Sequence, residues 1–279
     1  MEEAEKLSML AIFAHPDDES FPTGGALARY AREGVAVSLV CATRGEAGEI
    51  SDPALATPQT LGRVREEELR RACTVLGVTH LRFLDYLDGT LPEVDRHEAE
   101  GKVVLAIREL RPQVVLTWGP EGGYGHPDHI AVHDWATAAF ETAGDPGAFP
   151  EQFLEGLEPW TPLKLYNLAM PRERFQRIGE IAKQFAQITA WDNRDWSTFG
   201  VPEARITTCV NVAPYVDTKL KAIGSHQTQF SPNHPYAVLP RDLVGEFFRE
   251  ECYVLAESRL SAPGGREDDL FQGIRTPLK

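Results

Sequence analysis

Short apolar runs alternate with amphipathic stretches along the first half of the chain. Four of the runs are short enough to be buried strands, and they cover 7–14, 35–42, 80–84 and 113–118. Helical periodicity separates them over 24–34, 61–77 and 95–110, and Gly34 is a typical helix stop. Strands that alternate with helices in this way predict right-handed βαβ units and a parallel sheet.

The second half of the chain continues with strands and helices in a less regular order. Further strands are predicted over 163–170, 205–212 and 252–256, with helices over 130–143, 172–188, 215–223 and 240–248. Between them, the segment 144–162 is rich in proline and aromatic residues. We expect it to be an ordered excursion that forms a wall or lid of a site.

Together these elements predict one α/β domain over 1–279. Its Rossmann-like sheet is expected to be mostly parallel and flanked by helices, with a smaller C-terminal lobe. The core is expected over 1–143. Residues 144–256 are expected to supply the remaining strands and the lobe that closes on a substrate, and 257–279 a polar tail with little periodicity.

Polar loops rich in glycine and proline follow each of the first four predicted strands, at 15–19, 44–48, 85–89 and 124–129. The carboxyl ends of parallel strands share one edge of a sheet, and ligand sites of such sheets lie there. The sequence therefore predicts that these four loops meet. A dinucleotide site is excluded, because the turn after the first strand lacks a Gly-x-Gly-x-x-Gly motif.

The first of these loops has the residues of a catalytic metal site. His15 and Asp18 are three apart and can hold a metal ion from one turn. Catalytic zinc sites use about three protein ligands and leave one position open for water. Asp17 is then free of metal, and it is well placed as a general base for an activated water and as an acid to a leaving amine.

The fourth loop supplies candidates for a third ligand. His129 and His133 are four apart at the start of a predicted helix, so they share a face and could chelate as a pair. Pro127 places His126 and His129 on a loop instead. Spacing alone leaves open which histidine completes the set. Asp128 is placed to accept the second ring N–H of a histidine ligand.

Composition and charge limit the partners of the chain. The formal net charge is −14 and no basic stripe is present, which disfavours nucleic acid. No run approaches ~20 apolar residues, so no membrane span is expected. The acidic start is unlike a secretory signal and indicates a cytoplasmic protein. The oligomeric state is open, a homo-oligomer included.

The cysteines are far apart and form no Cys-x-x-Cys motif. We expect free, buried thiols in a reducing cytoplasm rather than disulfides. The four residues concerned are Cys41, Cys73, Cys209 and Cys252.

Two motifs together, AHPDDE at 14–19 and GHPDH at 125–129, give the chain a family resemblance. It resembles the LmbE-like, or PIG-L, zinc-dependent de-N-acetylases, which remove acetyl groups from N-acetylglucosamine-containing substrates. The resemblance covers 7–135 strongly and 200–230 more loosely. It implies that His15, Asp18 and His129 bind the metal and that Asp17 is the general base. Zn²⁺ is the expected ion, and Fe²⁺ suits the same donor set.

The resemblance also implies roles for residues around the metal. His126, in its protonated form and oriented by Asp128, is expected to stabilise the oxyanion, and Tyr124 to lie near the reacting carbonyl. The residues expected to contact the sugar, directly or in support, are Arg65, Asp88, Arg44, Glu46 and His226. Around His226 this chain reads His-Gln-Thr-Gln, where the family often has His-Arg-Ser-Gln.

The resulting hypothesis is a metal-dependent hydrolase that deacetylates a small-molecule N-acetylglucosaminide. One alternative is a metal-dependent amidase that acts on a thiol–sugar conjugate. Another is a non-catalytic sugar-binding protein, against which the presence of Asp17 beside the ligands argues. The sequence does not identify the aglycone of the substrate.

Overall fold

A seven-stranded mixed sheet forms the centre of the computed structural model, which describes residues 6–174, 176–177, 200–230, 240–261 and 264–275. Its strands are β1 Ser8–Phe13, β2 Ala36–Cys41, β3 His80–Phe83, β4 Val114–Thr117, β5 Lys164–Ala169, β6 Thr208–Asn211 and β7 Glu250–Ser258. Their order is β3-β2-β1-β4-β5-β7-β6. The pairs from β3 to β5 are parallel, and β7 is antiparallel to both β5 and β6. The predicted α/β class with a mostly parallel sheet is confirmed.

The helices that flank the sheet are α1 Gly24–Arg32, α2 Leu61–Leu76, α3 Arg96–Leu110, α4 Pro127–Thr142, α5 Val216–Ile223 and α6 Arg241–Phe248. Helix α2 ends at Gly77, whose φ of 80° is in the left-handed region that glycine adopts without strain. Helix α4 starts three residues before the predicted position 130, because Pro127 fits a first helical turn and His126 caps it. The helix predicted over 172–188 lies almost entirely outside the described residues.

Both faces of the sheet are covered by helices. Along β1, Met9 and Phe13 pack with α1 and α2, whereas Leu10 and Ile12 pack with α3 and α4. Successive side chains of a strand point to opposite faces, so a strand covered on both sides needs apolar residues at every position. This explains the uninterrupted apolar run that predicted β1.

The excursion over 144–162 lies at the edge of the sheet opposite to the predicted site. The buried Arg108 at the end of α3 donates hydrogen bonds to the backbone carbonyls of Asp145, Ala148 and Phe149 in this segment. The indole N–H of Trp160 donates to the carbonyl of Pro112 over 2.7 Å, just before β4 begins. Because the site loops follow the carboxyl ends of the strands, the prediction that 144–162 forms a wall or lid is wrong.

The end of the chain differs from the predicted polar tail. Leu270 and Phe271 are fully buried in the core, and the carboxylate of Glu267 is 2.6 Å from the Lys164 ammonium. Glu267 also bridges to Thr208 at the start of β6. This segment packs against the fold through a few separate residues and not through one face of a helix or strand. Its sequence therefore shows little periodicity.

The cysteine prediction is wrong for one pair. Cys209 and Cys252 form a disulfide, whereas Cys41 and Cys73 are free and buried as expected. Cys209 and Cys252 are directly opposite in the antiparallel register of β6 and β7, with Cα atoms 4.1 Å apart. The two cysteines are 43 residues apart in the sequence, so no local pattern predicts that they pair. Within the described part of the chain, no helix is long and apolar enough to cross a membrane.

Candidate active site

The four loops after β1 to β4 are linked by hydrogen bonds around His15. Its Nε2 lies 3.0 Å from a carboxylate oxygen of Asp88, in the loop after β3. It also lies 3.1 Å from a carboxylate oxygen of Asp128, beyond β4. The loop after β2 joins them, because the backbone N–H of Ala47 donates to Asp88 over 3.0 Å. The predicted convergence of these loops is confirmed.

Asp18 is held as an ionised acceptor. Its Oδ2 accepts the backbone N–H groups of Ala14 and His15, at 3.1 and 2.9 Å, and the indole N–H of Trp118 at 3.2 Å. Burial alone would raise the pKa of Asp18, but His129 and His15 lower it below the usual value. The other oxygen, Oδ1, is 3.4 Å from Nε2 of His129.

His129 presents one defined nitrogen to this carboxylate. It lies in the first turn of α4, and its Nδ1 donates to the backbone carbonyl of Gly122 over 3.1 Å. The ring also stacks on Trp118, with centroids 4.1 Å apart and an interplanar angle of 6°. With the proton on Nδ1, the Nε2 lone pair points to His15 and Asp18.

His15 has the opposite tautomer. Its Nε2–H is directed to the carboxylates of Asp128 and Asp88, which leaves Nδ1 free, 3.2 Å from Nε2 of His129. Asp128 is fixed in turn by the backbone N–H groups of Gly89 and Leu91. Burial lowers the pKa of His15, but the hydrogen bonds to Asp128 and Asp88 outweigh it and raise the pKa to about 10. Without metal, a proton on Nδ1 therefore occupies the gap between the two rings, and a metal ion competes with it.

The three side chains that are predicted to bind a metal ion lie close together. His15 Nδ1 is 3.2 Å from His129 Nε2 and 3.7 Å from Oδ2 of Asp18, whereas His129 Nε2 is 3.4 Å from Oδ1 of Asp18. These three side chains are called the triangle below. A tetrahedral ion with bonds of about 2.0–2.1 Å needs ligand atoms about 3.3 Å apart. Once the proton on His15 Nδ1 has left, both ring nitrogens and the carboxylate are acceptors, and no lysine or arginine among the described residues forms an ion pair with Asp18.

Two other groups of side chains around His15 could also hold a metal ion. His126 can join His15 and His129 within 4.8 Å, and so can Asp88 and Asp128 with His15. The two carboxylates, however, face the Nε2 of His15 that carries a proton, as in carboxylate–histidine pairs that support a metal ligand. Nδ1 of His133 is 2.9 Å from the Trp118 carbonyl, so this histidine packs against the end of β4.

Asp17 lies beside the triangle and contacts neither histidine. Its φ of 113° is unusual for a residue with a side chain. The carboxylate is 22% exposed and accepts from Nη2 of Arg65 over 3.2 Å. Burial raises the pKa of Asp17 to about 6, with Arg65 opposing the shift and Asp18 adding to it. This carboxylate can therefore exchange protons at the rim of the site.

His126 is a neutral donor in this geometry. Its Nδ1 accepts the backbone N–H of Asp128 over 3.2 Å and caps α4, so the proton is on Nε2. Burial lowers the pKa of His126, and the neighbouring His15 lowers it further. The structure thus corrects two expectations. His126 is not protonated at neutral pH, and Asp128 contacts it through the backbone while its carboxylate orients His15.

Sequence comparisons identify the family of this chain. A model of the PIG-L family, described as GlcNAc-PI de-N-acetylase, matches residues 10–140, which include both histidine–aspartate motifs. A 1D-myo-inositol 2-acetamido-2-deoxy-alpha-D-glucopyranoside deacetylase from Streptomyces avermitilis is 39% identical over 95% of this chain and 97% of its own. The chain belongs to the PIG-L family of de-N-acetylases.

A second relative and a solved structure are also similar to this chain. A mycothiol S-conjugate amidase from Streptomyces coelicolor is 34% identical over 97% of this chain and 98% of its own. The N,N'-diacetylchitobiose deacetylase from Pyrococcus horikoshii has the same fold, with a TM-score of 0.66 and 22% identity over 89% of this chain and 83% of that one. Relatives with different named activities thus share the architecture.

In this PIG-L member, Arg65 is buried beneath the loop of the first motif. It is 3% exposed and donates to the carbonyls of Pro16 and Gly45, at 2.6 and 2.9 Å, besides Asp17. A Cβ at Gly45 would lie 2.2 Å from the guanidinium, and the φ of 70° there also favours glycine. Direct contact of Arg65 with a sugar stays a prediction, since its described partners are all within the protein.

The other residues expected at the sugar are also engaged with protein groups. Arg44 forms ion pairs of 2.6 Å with both Glu66 and Asp85. Glu46 accepts the backbone N–H of Arg44 over 3.2 Å. Tyr124, which is expected near the reacting carbonyl, is 54% exposed at the rim, and its ring contacts that of His126 edge-on with centroids 5.8 Å apart.

His226 has no exposed surface. Its Nε2 is 2.7 Å from the carboxylate of Glu19, behind the first motif. The prediction of a substrate contact for His226 is therefore wrong. Sequence reasoning also gave no role to Glu19 or Trp118. A signal existed for Trp118, since it is at the carboxyl end of β4, where parallel sheets place ligand sites.

Proposed function

We propose that this protein is a metal-dependent deacetylase of an N-acetylglucosamine-containing small molecule. One observation carries the proposal: two histidine nitrogens and the Asp18 carboxylate lie within 3.2–3.7 Å of one another, and the Asp17 carboxylate, bound by Arg65, lies next to them in the same loop. The 39% identity to a deacetylase of a 2-acetamido sugar supports the substrate class.

His15 Nδ1, His129 Nε2 and the carboxylate of Asp18 would hold the metal ion, and the N₂O donor set suits Zn²⁺, our preferred ion, as well as Fe²⁺. When bound, such an ion polarises a substrate carbonyl and lowers the pKa of water. The protein maintains both ligand tautomers, through Asp128 and Asp88 for His15 and through the Gly122 carbonyl for His129.

Asp17 performs the proton transfers in this proposal. It takes a proton from the attacking water as the new C–O bond to the acetamide carbon forms. When the C–N bond breaks, Asp17 returns the proton to the amine nitrogen, so the products are acetate and the free amino sugar. Burial places its pKa near neutrality in the metal-free site, and a cation bound next to it lowers that value.

His126 stabilises the developing oxyanion as a neutral donor. Its Nε2–H is available, because Nδ1 is occupied by the Asp128 backbone N–H. A positioned donor of this kind typically contributes about 10²–10³-fold to turnover. Tyr124 lies next to His126 at the rim, where we propose that it contacts the substrate near the reacting carbonyl.

For the substrate, we propose an inositol glycoside of N-acetylglucosamine as the first compound to test, on the ground of the Streptomyces avermitilis relative. A second candidate function is amide cleavage in a mycothiol S-conjugate, which the relative from Streptomyces coelicolor favours. Both reactions hydrolyse an amide, and the same metal ligands and base would serve either.

A two-substrate assay on zinc-loaded protein tests the proposal. The N-acetylglucosaminyl inositol and a mycothiol S-conjugate are incubated in parallel, and acetate and free amine are quantified, with Asp17→Asn as the control. Acetate release with the higher kcat/KM supports the deacetylase, and faster conjugate cleavage supports the amidase. No turnover of these or of other N-acetylglucosaminides by fully metal-loaded protein would overturn both.

A further inference from the structure

Behind the metal site, a buried carboxylate–histidine pair contacts the residue proposed as the base. Glu19 and His226 are 1% and 0% exposed, and the Glu19 Oε1 accepts from the His226 Nε2 over 2.7 Å. The other oxygen of Glu19 accepts the backbone N–H of Asp17 over 3.0 Å. We propose that Glu19 and His226 are positioning residues that fix the backbone of Asp17 and thereby aim its carboxylate.

The backbone of Asp17 needs such support. Its φ of 113° is a conformation that residues with a Cβ rarely adopt, and they retain it only where the surroundings enforce it. Glu19 binds the N–H of this same residue, so it acts on the strained torsion directly. On the other side, Arg65 contacts the carboxylate. Asp17 is therefore fixed at two points, by Glu19 through the backbone and by Arg65 through the side chain.

His226 fixes Glu19 in turn. A buried carboxylate without partners is costly, and Glu19 is satisfied by the Asp17 N–H, the Ser20 hydroxyl and the His226 ring. Of these, only His226 is distant in sequence, 207 residues from Glu19. It follows helix α5, so the C-terminal half of the chain takes part in orienting the proposed base.

A nearby contact offers a matched control. Two residues after His226, Thr228 donates its backbone N–H and its hydroxyl to the buried Glu68, at 2.9 and 2.6 Å. This contact anchors the same C-terminal segment to α2 but does not touch Asp17. A variant at Thr228 therefore tests docking of the segment alone, whereas one at His226 also removes the support of Glu19.

The proposal rests on Asp17 as the base, and its test is a double-mutant cycle with zinc content measured for every variant. Since a small misplacement of a reacting group costs about 10²-fold, His226→Phe should lower kcat about 10- to 100-fold. The KM should stay within about threefold, because His226 is buried away from the substrate. His226→Gln keeps a donor near the Nε2 position and should recover most of kcat. Thr228→Val should lower Tm and leave kcat within about twofold.

The cycle separates positioning from general stability. If Glu19 and His226 act through Asp17, the double variant Asp17→Asn/His226→Phe should be no slower than Asp17→Asn alone. If His226→Phe lowered kcat by the same factor in the Asp17→Asn background as in the wild type, the proposal would be overturned. Loss of zinc from folded His226→Phe protein would overturn it as well. Ordinary activity of Asp17→Asn would instead overturn the proposed base itself. If His226→Phe fails to fold, Glu19→Gln enters the same cycle with the same criteria.

Discussion

Two buried polar regions of this protein satisfy their charges in different ways. Towards the antiparallel side of the sheet, buried charges form matched pairs, Lys164 with Glu267 and Lys219 with Glu251, each over 2.6 Å. At the carboxyl ends of the parallel strands, by contrast, His15 Nδ1 and His129 Nε2 face each other over 3.2 Å beside the Asp18 carboxylate, and without metal a single proton lies between the two nitrogens. Matched pairs indicate a structural role, whereas an excess of acceptors around one point indicates a site for a cation.

The largest expected effect tests the acceptor-rich region. His129→Ala removes one of the three ligands, and we expect metal affinity to fall by at least about 10³-fold and turnover to be lost. Metal analysis after dialysis against a weak chelator measures this. His133→Ala is the control, because His133 contacts the Trp118 carbonyl and not the triangle. If the His129→Ala variant kept the zinc content of the wild type, His129 would not be a metal ligand.

The next effect separates proton transfer from metal binding. Asp17→Asn keeps the shape of the side chain and should retain one zinc ion while kcat falls about 10²–10⁴-fold. Steady-state kinetics on metal-loaded protein, with metal content determined on the same sample, checks this. A variant with near wild-type kcat would show that another group takes the proton.

Substitution of a residue in a matched pair should lower the stability of the protein and leave its zinc affinity unchanged. Lys219→Met leaves Glu251 buried without its ion-pair partner, and loss of one partner of a buried pair costs about 3–5 kcal/mol. The backbone N–H groups of Gly25 and Ala26 still bind Glu251, which places the expected cost at the lower end, about 3 kcal/mol. Urea unfolding gives this value, and zinc affinity should stay unchanged. A fall in zinc affinity without a loss of stability would contradict the structural role of the Lys219–Glu251 pair.

The smallest effect concerns support of the ligands. Trp118→Phe keeps a ring that can stack on His129 but loses the indole N–H to Asp18. Loss of such outer contacts typically costs about 10- to 100-fold in metal affinity. The control is Trp160→Phe, which loses an indole N–H bond to Pro112 at the opposite edge of the sheet. Equal zinc affinities of the two variants in a competition titration would contradict a role of Trp118.

The sequence predicted what local patterns determine. The strands and helices of the first half follow from periodicity, and the loops at 15–19 and 124–129 had to meet because parallel strands end at one edge. Their contacts could not be read in the same way. The carboxylates that orient His15 come from two different loops, and the neutral state of His126 depends on burial and on its position at the start of α4.

Three wrong predictions have a common physical cause. The position of 144–162, the disulfide between Cys209 and Cys252, and the burial of His226 all depend on contacts between distant parts of the chain. Arg108 fixes the first, the register of β6 and β7 the second, and Glu19 the third. No local pattern encodes such a pairing, because each partner is compatible with many others until the sheet order is known.

The most direct test of the metal centre is crystallography of zinc-loaded protein with anomalous data collected on both sides of the zinc edge. We expect one strong anomalous peak within about 2.0–2.2 Å of His15 Nδ1, His129 Nε2 and an oxygen of Asp18. Fully zinc-loaded crystals without a peak at that point, or with the ion bound by Asp88 and Asp128 instead, would contradict the account.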